Sequence, residues 1–333
     1  TFADRKGRQL SLRPEGTASV VRFIVEEKIQ IADSLKLYYM GPMFRYERPQ
    51  AGRYRQFHQL GIEYFGPTSA ASDAETIAVG HSLLKEIGML TSTKLLLNSL
   101  GCPACRPGFL EQLKLFLASV SEKICDECRG RIDRNPLRCL DCKREGCVAV
   151  YDAAPKISAT LCDACRTHDA ELKELLTAAG ISFVVSDRLV RGLDYYVRTV
   201  FEFVTSALGA QDAVIAGGRY DGLVRTLGGP DVPAVGFAGG IERMIEILMK
   251  QGPSAQDQNS PAVSVYFVCS DSAAPRKQAF RLAESIRAAG ISSTLPLSAG
   301  KSFKSQFRAA DKSGARAVVI LGDEEAGKGC VSL

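Results

Sequence analysis

Hydrophobic and polar residues recur with two different periods along the first hundred residues. Ala18, Val21 and Val25 have helical spacing, whereas two later stretches are rich in tyrosine, phenylalanine and aliphatic residues, as strands are. Ser72 and Glu75 have the spacing of a capping box, which favours a helix start. The pattern therefore predicts a helix, two strands joined as a hairpin, and a second helix, over residues 17–28, 35–47, 55–65 and 72–87.

The same alternation of strand-like and helix-like hydrophobic patterns resumes after residue 185. The stretches 197–205 and 213–216 are predicted strands, the second ending in a Gly-Gly turn, and an apolar helix follows Gly240 up to Lys250. Strands and helices then alternate to the end of the chain, over residues 262–269, 275–289, 291–297, 302–312 and 316–321. Such alternation predicts a small domain with a parallel sheet.

These patterns predict several domains in a chain of 333 residues, about twice the usual length per domain. An α+β domain is interrupted by a cysteine-rich helical insertion and is followed by a linker and an α/β domain, with boundaries at 1–101, 102–185, 186–250, 251–262 and 263–333. The hydrophobic share of 46% and the charged share of 24% exclude a disordered chain. Without a long apolar stretch or a secretory signal, we expect a cytoplasmic protein that does not span a membrane.

Nine of the eleven cysteines lie between Cys102 and Cys165. Without a secretory signal, such a density favours reduced thiols or metal ligands over disulfides. Eight of them form four Cys-x-x-Cys pairs: Cys102 and Cys105, Cys125 and Cys128, Cys139 and Cys142, Cys162 and Cys165. Nineteen residues separate the first pair from the second, and nineteen the third from the fourth, as in four-thiolate zinc sites. Bound zinc and reduced structural thiols both remain open.

Positive charge is concentrated near the C-terminus. The net charge of +5 demands no polyanionic partner by itself. Residues 262–333, however, hold ten lysines and arginines against six acidic residues, which makes this segment a candidate for contacting nucleic acid. A metal-dependent nucleic-acid-binding module is thus one interpretation of the cysteines and the basic segment.

One face of the predicted strand 55–65 is polar where a purely structural sheet would be apolar. Period two places on this face Phe57, Gln59, Gly61 and Glu63. The preceding loop is surrounded by four arginines, Arg45, Arg48, Arg53 and Arg55. Because guanidinium groups bind phosphate through paired hydrogen bonds, the hairpin indicates a site for a flat, polar ligand with phosphate groups; a solvated basic hairpin is the alternative.

Five motifs resemble those of the histidyl-tRNA synthetases, a family of class II aminoacyl-tRNA synthetases. They are LRPEGT at 12–17, the hairpin of motif 2 at 41–63, LVRGLDYY at 189–196, AGGRYDGL at 216–223 and VGFAGGIER, motif 3, at 235–243. The resemblance implies an α+β fold: an antiparallel class II catalytic sheet flanked by helices, a helical insertion domain and a C-terminal α/β anticodon-binding domain. The family's motif 1 is then expected before Thr1, and further chain after Leu333.

The resemblance implies that the protein activates L-histidine with ATP, releases pyrophosphate and transfers the histidine to the 3′ end of tRNA-His. Mg²⁺ is expected as the counterion of the triphosphate, and a homodimer as the assembly. The alternative is a regulatory paralogue, the synthetase-like subunit of ATP phosphoribosyltransferase, which would sense histidine without charging tRNA. That paralogue usually lacks the C-terminal domain and the ATP-site arginines, and this sequence has both.

Roles in the ATP site also follow from the resemblance. It places Arg45 at the α-phosphate, Arg243 at the distal phosphates, Phe57 under the adenine ring and Arg53 as a further contact. Arg191 takes the position of the family's own catalytic arginine. Since negative charge builds on the phosphate oxygens, Arg45, Arg191 and Arg243 are the predicted catalytic residues. For Arg191, an ion pair with a neighbouring carboxylate is the structural alternative.

Free histidine presents an ammonium, a carboxylate and a ring that both donates and accepts hydrogen bonds. Glu15, with Thr17 beside it, is predicted to meet the ammonium, although a carboxylate that only favours the start of a helix is the alternative. Glu63 is predicted to accept the ring N–H, and Tyr196 to bond the other nitrogen. The complete predicted histidine site is Glu15, Thr17, Arg45, Gln59, Glu63, Arg191, Tyr195 and Tyr196.

Overall fold

The computed structural model describes residues 1–46, 49, 53–206, 213–251, 263–296 and 300–333. It divides the chain into two compact units, Thr1–Lys250 and Gln251–Leu333. Arg48 and, except for Gln251, the predicted linker 251–262 lie outside the described residues.

A seven-stranded sheet forms the centre of the first unit. In chain order the strands of this unit are β1 (Phe2–Ala3), β2 (Gln9–Leu10), β3 (Leu35–Phe44), β4 (Gln56–Phe65), β5 (Lys94–Ser99), β6 (Val184–Val185), β7 (Val197–Val204), β8 (Ala213–Arg219) and β9 (Ala234–Gly240). β1 and β2 pair separately, and the large sheet has the order β3-β4-β9-β8-β7-β5-β6. All its neighbours are antiparallel except β5 and β6. The predicted antiparallel catalytic sheet is confirmed.

Helices flank this sheet and build the insertion. They are α1 (Thr17–Glu26), α2 (Ala70–Glu86), α3 (Arg106–Ser119), α4 (Asp126–Arg129), α5 (Leu137–Leu140), α6 (Glu145–Tyr151), α7 (Asp163–Ala178), α8 (Leu223–Thr226) and α9 (Ile241–Gln251). Ile77 and Leu84 of α2 pack in one core cluster with Phe201 and Phe203 of β7 and with Leu172 of α7. Helix α7 of the insertion therefore shares a core with the sheet.

The hairpin that carries the predicted polar face forms as expected. β3 and β4 pair antiparallel from Leu35 opposite Phe65 to Phe44 opposite Gln56. The following helix differs from its predicted start: it begins at Ala70 with Ser69 as its N-cap, and the Ser72 hydroxyl donates to the Ser69 carbonyl over 2.7 Å. The capping-box prediction was wrong because Ser72 lies inside the first turn.

The predicted turn at Gly217 and Gly218 was also wrong. β8 continues through both glycines to Arg219. A Cβ at Gly217 would lie 2.2 Å from the carbonyl oxygen of Gly236 on β9, and one at Gly218 would lie 2.5 Å from that of Thr199 on β7. The glycines therefore serve close packing of neighbouring strands.

The second unit is the small parallel-sheet domain that the sequence predicts. Its elements are β10 (Val265–Cys269), α10 (Ala273–Ala288), β11 (Ser293–Thr294), α11 (Phe303–Ser313), β12 (Ala317–Leu321) and α12 (Asp323–Lys328). β10 is the central strand and pairs in parallel with both others. Across the described residues of both units, no helix is long and apolar enough to cross a membrane.

Candidate active site

A cavity of about 550 Å³ opens in the first unit beside α1, β4, β9 and the segment 191–196. Its volume is within the usual range for small-molecule sites. Most residues predicted from the sequence line it: Glu15, Thr17, Arg45, Phe57, Gln59, Arg191, Tyr195, Tyr196 and Arg243. The structure thus brings the predicted histidine and ATP residues into one cavity, beside which Glu63 and Arg53 lie.

Glu63 is a buried carboxyl with two hydroxyl donors. Its side chain is on β4, and the residue is 1% exposed. The Thr17 hydroxyl donates to Oε1 over 2.6 Å, and the Tyr220 hydroxyl donates to Oε2. Burial raises the pKa of Glu63 to about 8, although both hydrogen bonds oppose this shift. Glu63 is therefore a polar group that holds a proton near neutral pH.

Tyr220 is a functional candidate that the sequence analysis did not single out. Its ring lies edge-on to Tyr195 and Tyr196, with centroid distances of 5.7 and 6.5 Å, and the Tyr195 and Tyr196 rings are 4.7 Å apart. Three tyrosine rings therefore stand together beside Glu63. Membership of the 216–223 motif was the signal that could have identified Tyr220.

Glu15 lies at the start of α1. Its two carboxylate oxygens accept the backbone N–H groups of Thr17 and Ala18, each over 2.8 Å. The alternative interpretation, a carboxylate at a helix start, is therefore observed, and the same residue lines the cavity. The Thr17 hydroxyl donates its proton to Glu63 and not to Glu15. Its oxygen keeps acceptor capacity, so the predicted contact of Thr17 with the ammonium stays a prediction.

Three arginines converge on one side of the site. Desolvation, followed by the charges of Arg243 and Arg53, lowers the pKa of Arg45 to about 10. Its Nε donates to the Tyr54 carbonyl over 2.7 Å, and its guanidinium carbon lies 4.2 Å from the ring centroid of Phe57. Cations held together in this way favour an anionic ligand. Because Arg45 already covers one face of Phe57, adenine would need the other face or would displace Arg45.

Motif 3 supplies the contacts that place Arg243. Its Nη1 donates to the carbonyl of Ala213 over 2.6 Å. The preceding residue, Glu242, accepts the His58 backbone N–H over 2.8 and 2.9 Å and is 2.8 Å from the His58 ring nitrogen. The start of α9 is therefore fixed to β4 through Glu242 and His58.

Arg191 forms the ion pair that was its structural alternative. Its partner is Glu202 on β7, and its guanidinium lies 6.0 Å from the ring centroid of Tyr196. Within the described part of the chain, the buried Nε of Arg191 and Oε1 of Gln59 have no hydrogen-bond partner. Since buried polar atoms are usually paired, these two atoms are available to a ligand in the cavity.

A buried charged network behind the site was not predicted. The fully buried Arg219 donates through Nε to Asp73 over 3.0 Å and through Nη2 to Ser72 over 2.8 Å. Asp73 is also 2.7 Å from the ring of His168 and 2.5 Å from the Thr199 hydroxyl. Burial opposes ionisation, but these partners keep the pKa of Asp73 below its usual value. The network links α2, α7, β7 and β8.

The cysteines form two groups whose pairing differs from the predicted one. One group is Cys102, Cys105, Cys162 and Cys165, and the other is Cys125, Cys128, Cys142 and Cys147; within each, all sulfur atoms lie within 4.8 Å of one another. The first Cys-x-x-Cys pair therefore meets the fourth and not the second. Cys139, which we predicted as a ligand, is outside both groups; its thiol donates to the Cys128 carbonyl over 3.4 Å. Cys147 was missed because it is in no Cys-x-x-Cys pair.

The family model described as histidyl-tRNA synthetase matches residues 1–115 and 139–244. The chain belongs to this family. A second model, an anticodon binding domain, matches residues 264–333. The family's matched residues contain all five motifs, and the second unit corresponds to the second model.

Curated relatives extend over the whole chain. It is 48% identical to "Histidine–tRNA ligase" of Halothermothrix orenii, over 99% of this chain and 78% of the relative. It is also 48% identical to the protein of the same name from Trichlorobacter lovleyi, over 98% and 76%. Among solved structures, apo histidyl-tRNA synthetase from S. aureus is 33% identical, with a TM-score of 0.73 over 98% of this chain and 79% of that one.

The fold alone is shared with a protein described as an ATP phosphoribosyltransferase regulatory subunit/histidyl-tRNA synthetase from Bacillus halodurans C. That protein is 22% identical, with a TM-score of 0.61 over 96% of this chain and 82% of that one. The much higher identity to the ligases favours the synthetase over the regulatory paralogue.

Proposed function

We propose that this protein is a histidine–tRNA ligase, which activates L-histidine with ATP and transfers it to tRNA-His. The observation that carries the proposal is the cavity lined by Thr17 and Arg45: Thr17 bonds the buried carboxyl of Glu63 beside the cavity, and Arg45 belongs to a cluster of arginines. The polar group around Glu63 suits the ring of histidine, and the arginines around Arg45 suit the phosphates of ATP. Relatives named histidine–tRNA ligase at 48% identity support the same conclusion.

Histidine binds, in this proposal, with its ring at the buried polar group of Glu63, Thr17 and Tyr220. The ring N–H donates to Glu63, which favours the ionised carboxylate over its protonated form. Tyr196, adjacent to Tyr220, meets the other ring nitrogen, and Glu15 meets the ammonium at the start of α1. An amino acid whose side chain has no polar atoms would offer no donor to Glu63 and no partner to Tyr196, and it would be rejected.

The chemical step needs charge stabilisation more than proton transfer. A carboxylate oxygen of histidine forms a bond to the α-phosphorus of ATP, and the bond to pyrophosphate breaks. The nucleophile is already ionised, so no general base is required. Arg45, Arg191 and Arg243 neutralise the charge that grows on the phosphate oxygens. The unpartnered Nε of Arg191 is a donor for the reacting carboxylate or phosphate oxygens, whereas Oε1 of Gln59 can accept from the ammonium of histidine or from a hydroxyl of ATP.

The residues present also fit a magnesium-bound triphosphate. Mg²⁺ takes oxygen ligands from phosphates and one or two carboxylates, and it would lower the charge of the triphosphate. Glu202 and Glu242, which pair with Arg191 and His58, are carboxylates that line the same cavity and are the proposed carboxylate ligands of the ion. We propose Zn²⁺ as a structural metal of the cysteine groups, which contribute no residue to the described lining of the cavity.

The second unit is proposed to bind tRNA at the anticodon stem-loop. Its match to an anticodon binding domain and its excess of positive charge support this role. A homodimer is the proposed assembly: Tyr38 and Met40 on the edge strand β3 are 84% and 70% exposed, an apolar surface that a second subunit would cover. The proposed place of action is the cytoplasm, where tRNA is charged.

Histidine-dependent ATP–pyrophosphate exchange followed by charging of tRNA-His tests this function. Both activities are expected. Exchange without charging would contradict the ligase function. It would indicate a synthetase-like enzyme that activates histidine but does not transfer it to tRNA. Absence of both, with histidine still bound, would favour the regulatory paralogue.

A further inference from the structure

We propose that the insertion binds two Zn²⁺ ions and that one of them positions the loop of the catalytic arginine. Site A consists of Cys102, Cys105, Cys162 and Cys165, and site B consists of Cys125, Cys128, Cys142 and Cys147. Site B holds segment 135–143 of the insertion against the loop 191–194. The activity part of this proposal rests on the proposed histidine activation, whereas the metal assignment does not.

The sulfur positions in site A match a tetrahedral metal centre. The Sγ atom of Cys102 lies 3.7 Å from that of Cys105 and 3.7 Å from that of Cys162, and the sulfurs of Cys105 and Cys165 are 3.9 Å apart. Four sulfurs around Zn²⁺ at about 2.3 Å would be about 3.8 Å from one another. Three of the six sulfur–sulfur distances in site A therefore match a four-thiolate zinc site, and all six are within 4.8 Å.

The peptide groups and charges around site A suit thiolate ligands. The Cys102 backbone N–H donates to the sulfur of Cys105 over 3.2 Å, and Cys162 is the N-cap of α7, where the helix dipole stabilises negative charge. A Zn²⁺ with four thiolates has a net charge of about −2. The Arg106 guanidinium is in electrostatic contact with the site A cysteines and donates to the carbonyls of Leu100, over 3.0 Å, and Tyr196.

Site B is assembled from three separate turns of the insertion. Cys125 is the N-cap of α4, and its backbone N–H donates to the sulfur of Cys147 over 3.2 Å. Cys128 is within α4, and Cys142 follows α5. These elements are only four to seven residues long. Their buried residues pack in one core cluster, and a shared metal would add direct bonds between the elements.

Segment 135–143 contacts the loop that carries Arg191. The Arg138 guanidinium donates to the Gly192 carbonyl over 3.1 Å, and the Asn135 amide donates to Asp194 over 2.8 Å. Asp141 and Lys143, the neighbours of Cys142 in sequence, line the catalytic cavity. A metal bound by Cys142 therefore constrains a segment that touches both the loop 191–194 and the cavity.

Cys139 and Cys147 allow a matched test of the assignment. Both are buried cysteines of the insertion, but only Cys147 has its sulfur in site B. Zinc is to be counted by mass spectrometry in protein produced with zinc and purified without chelators. We expect two ions in the unchanged protein, one in Cys147→Ser, and two in Cys139→Ser and in Cys147→His, since histidine also ligates zinc.

Each contrary count overturns the assignment. Protein without zinc would show that the clusters are reduced structural thiols. Loss of an ion in Cys139→Ser but not in Cys147→Ser would show that Cys139, and not Cys147, is a zinc ligand. If Cys147→Ser does not fold, titration of metal-stripped protein with Co²⁺ decides instead: two equivalents should give the absorption of tetrahedral cobalt thiolate, and its absence contradicts both sites.

The positioning role is tested by pyrophosphate exchange on the same variants. Cys147→Ser is expected to lower kcat about 10- to 100-fold with a smaller change in the KM for histidine, and Cys147→His is expected to recover most of it. Cys139→Ser should stay within about twofold of the unchanged protein. If Cys147→Ser loses one ion and retains full kcat, site B does not position the Arg191 loop. If the unchanged protein holds two ions but shows no exchange, the proposed function fails and the metal assignment stands.

Discussion

The Thr17 hydroxyl donates a 2.6 Å hydrogen bond to the carboxyl group of Glu63, 46 residues further along the chain. Tyr220 donates to the other oxygen of the same carboxyl. Three chain segments, the start of α1, strand β4 and the end of β8, therefore meet at one buried acid. The raised pKa of Glu63 leads to the first prediction, which concerns the pH dependence of stability.

Replacing Glu63 by glutamine should flatten the pH dependence of stability. Burial raises the pKa of Glu63 from 4.5 to about 8, so the folded state holds the proton more tightly than the unfolded state. This contribution is fully present below pH 4.5 and is lost as the pH rises towards about 8, by up to roughly 1.4 kcal/mol per pH unit. Urea unfolding at pH 5, 6.5 and 8 measures the free energy of unfolding.

The exposed Glu26, which pairs with Arg22 on α1, provides the control. Glu26→Gln should follow the pH dependence of the unchanged protein, whereas Glu63→Gln should not. Parallel curves for Glu63→Gln and the unchanged protein would show that Glu63 has an ordinary pKa in the fold.

Arg191→Ala should slow adenylate formation by about 10²- to 10³-fold, while the affinity for histidine changes much less. The reason is that its charge stabilises the transition state in which the adenylyl group passes from pyrophosphate to histidine. Stopped-flow measurement of adenylate formation separates the rate from binding. Arg188→Ala, which removes an ion pair with Asp152 outside the cavity lining, is the matched control and should retain the rate. Equal losses in binding and rate for Arg191→Ala would contradict this role.

Arg219→Met should destabilise the protein by about 3–5 kcal/mol, because it leaves the carboxylate of Asp73 buried without its main cation. Adding Asp73→Asn to this variant should restore part of the loss. Arg225→Met, which breaks an exposed pair with Asp231, should change stability by less than about 1 kcal/mol. Urea unfolding compares the variants, and similar effects of Arg219→Met and Arg225→Met would show that the buried network does not stabilise the fold.

Removal of residues 252–333 should leave histidine-dependent pyrophosphate exchange largely intact and reduce charging of tRNA. The first unit has its own hydrophobic clusters and contains the whole cavity, whereas the basic second unit neutralises phosphates of the RNA. Charging measured at two salt concentrations should also lose part of its salt dependence. Undiminished charging would exclude an anticodon contact by the second unit.

The sequence by itself determined the features that depend on local periodicity. Alternation along residues 55–65 placed Phe57, Gln59 and Glu63 on one face, because side chains of a strand point in opposite directions with period two. The hairpin of β3 and β4 and the parallel sheet of the second unit followed from the same kind of pattern. The motif residues that line the cavity were identified by resemblance, since each motif is a short continuous segment.

Only the tertiary structure decided which distant residues become partners. Strand order β4-β9-β8 brings Tyr220 to Glu63, and the packing of α2 under β8 brings Asp73 to Arg219. Sequence spacing paired the cysteines with near neighbours, but the chain closes the insertion by bringing residues 162–165 back to residues 102–105. Periodicity reports the face on which a side chain lies, whereas its partner depends on how separate elements pack, because contacts between distant segments form only when the whole core is assembled.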